Sequence, residues 1–229
     1  MLNFSEKHEM IRMIADKIAK EKAAPRAKEI DSTGAFPWDL VDVYKKHGFL
    51  YLMLPERFGG LDGDITSLCI VIEELAKVSG TSSLIPLAHN VGLMPIMVAG
   101  TEEQKEYVYS KIAEPDKLYL VAFALTEADA GSDASDMRTN VVKEGDYYYL
   151  NGKKSMITNG ASAQFFTLFA TINPKLRNKG ITAFYLERDY PGVIIGKSEE
   201  KMGMIGSDLT EVTFDNVKLT KDNLLGNEG

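Results

Sequence analysis

The chain has 229 residues, 45% of them hydrophobic, which is enough for a sizeable core and one or two globular domains. Its formal net charge of −7 argues against nucleic acid or an anionic membrane as the main partner. The single cysteine, Cys69, excludes a disulfide within the chain and fits a reducing compartment. We expect Cys69 to be a small buried side chain on a helix. The three histidines are scattered, so no metal-ligand spacing is visible.

The first residues, MLNFSEKH, lack the basic and apolar regions of a signal peptide. The most apolar segment, residues 84–100, is interrupted by two prolines and is shorter than a membrane-spanning helix requires, so we expect a buried helix there. These features predict a soluble protein with no membrane span. The expected location is the cytoplasm in a bacterium, or the mitochondrial matrix in a eukaryote.

The first half of the chain has the apolar periodicity of helices. Ser5 is a suitable N-cap for the first helix, and Pro25 is expected to end or kink it. Gly48 is expected to stop the second helix, and Thr101 with Gln104 forms a capping box. The further helices are predicted at residues 37–47, 64–77, 84–99 and 101–113.

From about residue 117 the pattern is that of strands separated by turns. Asn151-Gly152 lies between two extended segments, which is a strong signal for a tight hairpin. The predicted fold class is therefore α+β, with an all-helical N-terminal domain at residues 1–116 and a β-barrel or β-sandwich middle domain at residues 117–229. The predicted strands are 119–125, 140–143, 147–150, 153–158, 165–172, 181–186, 193–195 and 211–219.

The most informative stretch is residues 119–139, YLVAFALTEADAGSDASDMRT, a buried strand followed by a loop of small and polar residues. Gly131 lets a ligand approach the backbone closely, and Ser132 adds a hydroxyl donor. Four carboxylates surround this loop with Arg138 as the nearest cation, which is a poor field for a phosphate. There is no P-loop and no dinucleotide-binding fingerprint. From these residues alone the loop is either an ordinary turn or an anion or cofactor site.

Two further stretches are candidates. KSMITNG at residues 154–160 is a strand ending in a turn, where Thr158 and Asn159 offer donors, although an ordinary strand terminus has the same residues. KMGMIGSD at residues 201–208 contains Ser207 and Asp208, for which we favour a structural role over a place in a substrate cleft.

Together these stretches resemble the acyl-CoA dehydrogenase family. ALTEADAGSD, followed by MRT, is similar to the flavin-binding signature of that family, with Ala128-Asp129 where the family usually has Pro-Gly. The order and spacing of the blocks extend the resemblance over nearly the whole chain. The other similar blocks are LPERFGG at 54–60, GTEEQK at 100–105, KSMITNG at 154–160, KMGMIGSD at 201–208 and the ending at 223–229.

The resemblance implies FAD as cofactor and an acyl-CoA thioester as substrate. It places Gly131 and Ser132 near the FAD pyrophosphate, with Ser132 also near the pantetheine of the substrate. Met156 stands where the family commonly has an aromatic residue, and a thioether shields a flavin less rigidly. The implied contacts to the flavin ring system are Phe123, Leu125, Thr126, Met156, Ile157 and Thr158.

The implied reaction is α,β-dehydrogenation of the thioester, with electrons passing to an electron-transferring flavoprotein and a homo-oligomer, dimer or tetramer, as the full-length form. In the family a C-terminal helical bundle follows and carries the catalytic glutamate, whereas this chain stops before it. We therefore nominate no catalytic residue, and neither Glu127 nor Asp133 is given that role. The chain alone is expected to be inactive, whether truncated or a naturally incomplete paralogue.

Two alternatives remain open. Met156 is compatible with an acyl-CoA oxidase or a flavin monooxygenase of the same fold. A catalytically inactive binding module of the acyl-CoA dehydrogenase type is the other. The physiological direction, oxidation or enoyl reduction, and the acyl chain length are also open.

Overall fold

A computed structural model describes residues 4–229. Two compact units are present. The first takes the chain up to Asn90 together with Ala113–Leu118 and Glu200–Ser207. The second consists of Val91–Ile112, Tyr119–Glu199 and Asp208–Gly229. Because these units combine segments distant in sequence, the domain boundary at residues 116 and 117 stays a prediction.

The predicted helices are present, and their caps explain where they begin. The Ser5 side chain accepts a hydrogen bond from the His8 N–H at 3.2 Å. Thr101 and Gln104 form the expected reciprocal capping box, at 2.8 and 3.2 Å. The α-helices of the described residues are α1 Glu6–Ile18, α2 Ala24–Thr33, α3 Trp38–Lys46, α4 Ile65–Ala76, α5 Gly80–Ala99 and α6 Glu102–Ile112.

Pro25 does not end the first helix. A π-helical turn at Ala19–Ala23 joins α1 to α2, and Pro25 lies in the first turn of α2. The first turn tolerates a residue without an N–H, and the wider π turn before it changes the hydrogen-bond register at that point. The helical path continues to Thr33 and ends at Gly34, which has φ 69°.

Cys69 is exposed on α4, so the expectation that it is buried is wrong. The buried face of α4 includes Leu68, Val71 and Leu75, at the three- and four-residue spacing of one helix face. Residue 69 lies one position, about 100° of helix rotation, beyond Leu68, and therefore falls outside that face.

The apolar segment is a core helix, as predicted. Among the described residues, α5 alone has the length and the mean hydropathy, 1.4, of a membrane span, and half of its most apolar window is buried. His89 and Asn90 on α5 are both buried. The Nε2 of His89 lies 3.0 Å from the Leu50 carbonyl oxygen, and the Asn90 side chain donates to the Phe49 carbonyl at 3.0 Å. These contacts with backbone carbonyl groups are those of a helix that packs against other protein segments.

The strands of the second unit form one mixed eight-stranded sheet, confirming the β-rich second half. The hydrogen-bonded order is β6-β7-β3-β2-β4-β5-β8, and β1 pairs in parallel with β4 beside this path. The strands are β1 Val121–Ala124, β2 Asn140–Glu144, β3 Tyr147–Thr158, β4 Phe165–Thr171, β5 Ile181–Glu187, β6 Val193–Ser198, β7 Leu209–Thr220 and β8 Leu224–Leu225.

The hairpin predicted at Asn151-Gly152 is wrong, because β3 runs straight through both residues. Gly152 lies at a register shift against β7 and has φ 147°. A Cβ at Gly152 would lie 2.6 Å from the Thr139 Cα. The glycine is therefore required by the close approach of another backbone segment, not by a turn.

We predict an acid-sensitive component of stability from His89. Burial lowers its pKa from the ordinary 6.5 to about 4, with the bond to the Leu50 carbonyl opposing the shift in part. Between those values the unfolded chain binds a proton that the folded chain does not, so the free energy of unfolding falls as the pH drops through this window. From pH 7 to pH 5 the loss is about 2 kcal/mol.

Urea unfolding at the two pH values measures this component. His89→Gln should remove it, and His47→Gln, at an exposed histidine, should retain it. Identical pH dependence in the wild type and His89→Gln would contradict the prediction.

Candidate functional site

The site begins where β1 ends. Val121, Ala122 and Ala124 are buried, and β1 pairs in parallel with β4. The chain then closes a tight turn, in which the backbone groups of Glu127 and Ala130 exchange hydrogen bonds at 3.1 and 3.2 Å. The buried strand β1 and this turn therefore fix the position at which the loop at residues 125–133 begins.

A buried ion pair joins this loop to β3. The Lys154 Nζ lies 2.7 Å from the Glu127 Oε1 and donates to the Leu125 carbonyl at 3.0 Å. The Lys154 side chain is 0% exposed and the Glu127 side chain 6%. The Glu127 carboxylate also accepts the backbone N–H groups of Arg138 at 2.7 Å and Thr139 at 3.0 Å. One carboxylate thus ties together three chain segments.

The ionisation of this pair follows from its contacts. Burial alone would raise the pKa of Glu127, but the hydrogen bonds from Lys154, Thr139 and Arg138 hold it below its usual range. Burial lowers the pKa of Lys154, and the Glu127 carboxylate opposes that shift. Glu127 is therefore an ionised structural clamp and is not available as a base.

β3 bulges where it meets the loop. Its register against β7 shifts between Lys154 and Ile157, and the Ser155 N–H donates to the Thr126 carbonyl at 2.8 Å. Met156 has φ 60°, a left-handed conformation that is uncommon for a non-glycine residue, and the residue is 59% exposed. Bulges of this kind redirect a side chain next to a functional site. The bulge presents a large apolar side chain to the surface close to Thr126.

The structure brings part of the predicted flavin-contact set together. The bonds from Lys154 and Ser155 place Leu125 and Thr126 beside the β3 bulge that carries Met156. Thr126 and Thr158 are half-buried, so part of each residue is accessible. Ile157 is only 1% exposed, so the structure does not bring this predicted contact to the surface.

The remaining predicted residues lie around this centre. Phe123 packs against Phe169, with ring centroids 5.2 Å apart. Gly131 and Ser132 are exposed further along the loop. A Cβ at Gly131 would have no neighbour within 4 Å, and the φ of this glycine is not positive. The chain's own packing therefore does not require glycine at position 131, which fits a backbone kept bare for a ligand.

The acidic residues at positions 127–136 form ion pairs with three cations of the second unit. Arg138 pairs with Asp129 at 2.9 Å. Arg177 pairs with Asp133 and, at 3.2 Å, with Asp136. With Lys154 on Glu127, each of the four carboxylates has a cationic partner. Three cations thus face the four carboxylates, with Arg177 shared by two of them, so the unfavourable field expected from the local sequence is reduced. Sequence reasoning missed this because Arg177 is 44 residues from Asp133.

The turn after β3 is supported by the segment immediately before β7. Asn159 has φ 60°, and its N–H donates to the Asp208 carbonyl at 3.2 Å. The Asp208 carboxylate accepts the Ala161 N–H at 3.0 Å. Ser207 is buried, and its carbonyl accepts a hydrogen bond from Lys201. These contacts give Asp208 and Ser207 the structural roles that the sequence favoured.

A cavity of about 230 Å³ adjoins the buried ion pair. This volume is below the roughly 300 to 1,000 Å³ of typical cofactor pockets, so a flavin does not fit inside it. Its lining residues include the charged side chains Glu127, Asp129, Arg138 and Lys153. Within residues 4–229, no group of three or more metal-ligating His, Cys, Asp or Glu side chains is found.

Comparison with known proteins identifies the family. The N-terminal domain of acyl-CoA dehydrogenases matches residues 5–116, and the middle domain matches residues 122–217. The chain is 38% identical over 229 residues to an acyl-CoA dehydrogenase of Bacillus subtilis (strain 168), covering 100% of this chain and 60% of that protein.

Two solved structures share the fold. A chain from a structure of the electron transferring flavoprotein of Acidaminococcus fermentans has a TM-score of 0.93 and 38% identity, with 100% of this chain and 60% of that one covered. Butyryl-CoA dehydrogenase from Megasphaera elsdenii has a TM-score of 0.92 and 36% identity, with 100% and 61% covered. The chain belongs to the acyl-CoA dehydrogenase family, whose members are oxidoreductase flavoproteins of acyl-CoA metabolism. It spans about 60% of the length of these relatives.

We predict that Lys154→Met destabilises the fold by about 3 to 5 kcal/mol, because it leaves the Glu127 carboxylate buried without its cation. Lys153→Met is the matched control, since Lys153 is 53% exposed and pairs with Glu211 at the surface. Its expected cost is below about 1 kcal/mol. Denaturant unfolding of both variants measures the difference, and equal losses would contradict the structural importance of the buried pair.

Proposed function

We propose that this chain provides the flavin- and thioester-binding part of an FAD-dependent acyl-CoA dehydrogenase. The observation that carries the proposal is the junction of the loop after β1 with the β3 bulge. There, Thr126 and Met156 lie on segments joined by a backbone hydrogen bond, and Gly131 follows on the same loop with open space where a Cβ would be. Family membership supports the same assignment.

The chain's own residues would bind and orient the cofactor. The Thr126 and Thr158 hydroxyls are suited to hydrogen-bond a polar ring edge, and Met156 is suited to cover an apolar one. The bare backbone at Gly131 and the hydroxyl of Ser132 suit a phosphate or a pantetheine amide. Bound FAD would supply hydride acceptance from the CH–CH bond of the thioester. No residue of this chain is assigned the proton-abstracting role.

The proposal extends to partners. An electron-transferring flavoprotein as electron acceptor is supported by the likeness to a chain from the structure of such a flavoprotein. A homo-oligomeric full-length form and an acyl-CoA substrate follow from the family. The bacterial cytoplasm or the mitochondrial matrix, in keeping with the single cysteine, is the proposed location.

The visible absorption spectrum of the purified chain, alone and with added FAD, tests the proposal. Flavin bands that co-elute with the protein are expected. A colourless protein that leaves added FAD unbound would contradict the claim that these residues hold the cofactor.

We predict that Gly131→Ala weakens FAD binding while sparing the fold. A methyl group there meets no protein atom within 4 Å, so the stability should be unchanged or slightly raised. The same methyl would occupy space needed by the ligand, and we expect about a tenfold increase in the Kd for FAD.

Flavin-fluorescence titration and thermal unfolding separate the two effects. Gly203→Ala is the matched control, because its added methyl group also meets no protein atom within 4 Å. Gly203 lies outside the signature loop, which we define as residues 125–136 between β1 and β2. An unchanged Kd in Gly131→Ala would remove Gly131 from the binding site.

A second candidate is an oxidase of the same fold, favoured by the exposed thioether of Met156 where the family commonly has an aromatic ring. If the flavin is poorly shielded, reduced flavin on the protein should reoxidise rapidly in air, and Met156→Trp should slow this reaction. Stopped-flow absorbance measures the rate. Slow reoxidation in the wild type would favour the dehydrogenase.

A further inference from the structure

Arg177 occupies an unusual backbone conformation in the segment between β4 and β5. This segment, Pro174–Gly180, consists of short 3₁₀ turns, and Arg177 has φ 50° and ψ −128°. A non-glycine residue is disfavoured in this region, and such conformations persist where the surrounding structure holds them in place. The contacts of the Arg177 side chain show what could hold it.

The guanidinium of Arg177 bridges two carboxylates of the signature loop. Its Nη1 donates to the Asp136 Oδ1 at 3.2 Å, and its Nη2 donates to the Asp133 Oδ2. A planar guanidinium with several N–H donors fixes the relative position of two carboxylates, which a lysine ammonium does less well.

Asp133 passes this constraint to the backbone. Its Oδ1 accepts the Ser135 N–H at 3.2 Å and the Ser135 hydroxyl at 2.5 Å, which caps the short turn Ala134–Asp136. The Ser135 hydroxyl and then the Arg177 guanidinium hold the pKa of Asp133 below its usual range, so this cap is charged. Ser132 and Gly131 immediately precede the capped turn.

We propose that Arg177 is a positioning residue that holds the loop at residues 131–136 in the conformation that receives a phosphate group of the cofactor. It acts through Asp133 and Asp136, and by pairing with them it lowers the negative potential that an incoming pyrophosphate meets. The ion pairs are half exposed, so their contribution lies in geometry and local charge more than in global stability. The ligand part of this inference rests on the proposed function, but the loop part does not.

Hydrogen–deuterium exchange of the purified chain without flavin tests the loop part. Arg177→Gln should accelerate exchange of the backbone amides at residues 131–137 several-fold, with the rest of the sheet unchanged. Lys175→Gln, an exposed lysine of the same segment, should leave exchange at wild-type rates. Unchanged exchange in Arg177→Gln would overturn the proposal whether or not the chain binds flavin.

Titration with FAD and with riboflavin tests the ligand part. Riboflavin has no phosphate group, so Arg177→Gln should raise the Kd for FAD about five- to tenfold and leave the Kd for riboflavin unchanged. Arg177→Lys keeps the positive charge but loses the planar guanidinium that bridges the two carboxylates, so it should restore FAD affinity only in part. Equal weakening of both flavins, or an unchanged Kd for FAD despite faster exchange, would overturn it.

Combining substitutions shows whether Arg177 acts through the carboxylates of Asp133 and Asp136. If it does, Arg177→Gln combined with Asp133→Asn and Asp136→Asn should weaken FAD binding no further than the two asparagine changes do alone. Additive losses would overturn the assigned route. If wild-type protein binds neither flavin, the proposed function fails, and the exchange experiment alone decides the role of Arg177.

Discussion

The site depends on one buried ion pair, Lys154 with Glu127. Removing both charges from water is costly. The cost is offset because the other hydrogen-bonding groups of the two side chains bind backbone groups. Lys154 bonds the Leu125 carbonyl, and Glu127 accepts two backbone N–H groups from the segment that leads into β2. The pair therefore positions the strand end, the loop and the β3 bulge relative to one another, and the candidate cofactor contacts depend on that arrangement.

Two glycines show that glycine can occupy a position for different physical reasons. Gly152 avoids a collision with the Thr139 backbone and belongs to the packing of the sheet. Gly131 has open space around the position of its missing Cβ, so internal packing does not explain it. Only a structure separates a glycine needed by the fold from one available to a ligand.

The acidic loop shows how tertiary contacts change a local electrostatic argument. In the sequence, carboxylates dominate the neighbourhood of Ser132, and Arg138 is the nearest cation. In the structure, Lys154 and Arg177 arrive from distant strands and turns. Because charges act through space, their sequence separation carries no information about the field at the loop.

The sequence by itself determined the helices, their caps, most strands and the family blocks, because these follow from periodicity, capping chemistry and short contiguous motifs. Tertiary structure decided the continuation of β3 through Gly152, the exposure of Cys69 and the path past Pro25. It also decided that Glu127 is a clamp and that Arg177 reaches the signature loop. Each of these depends on which distant backbone or charge lies alongside a residue, and that is fixed only when the chain packs.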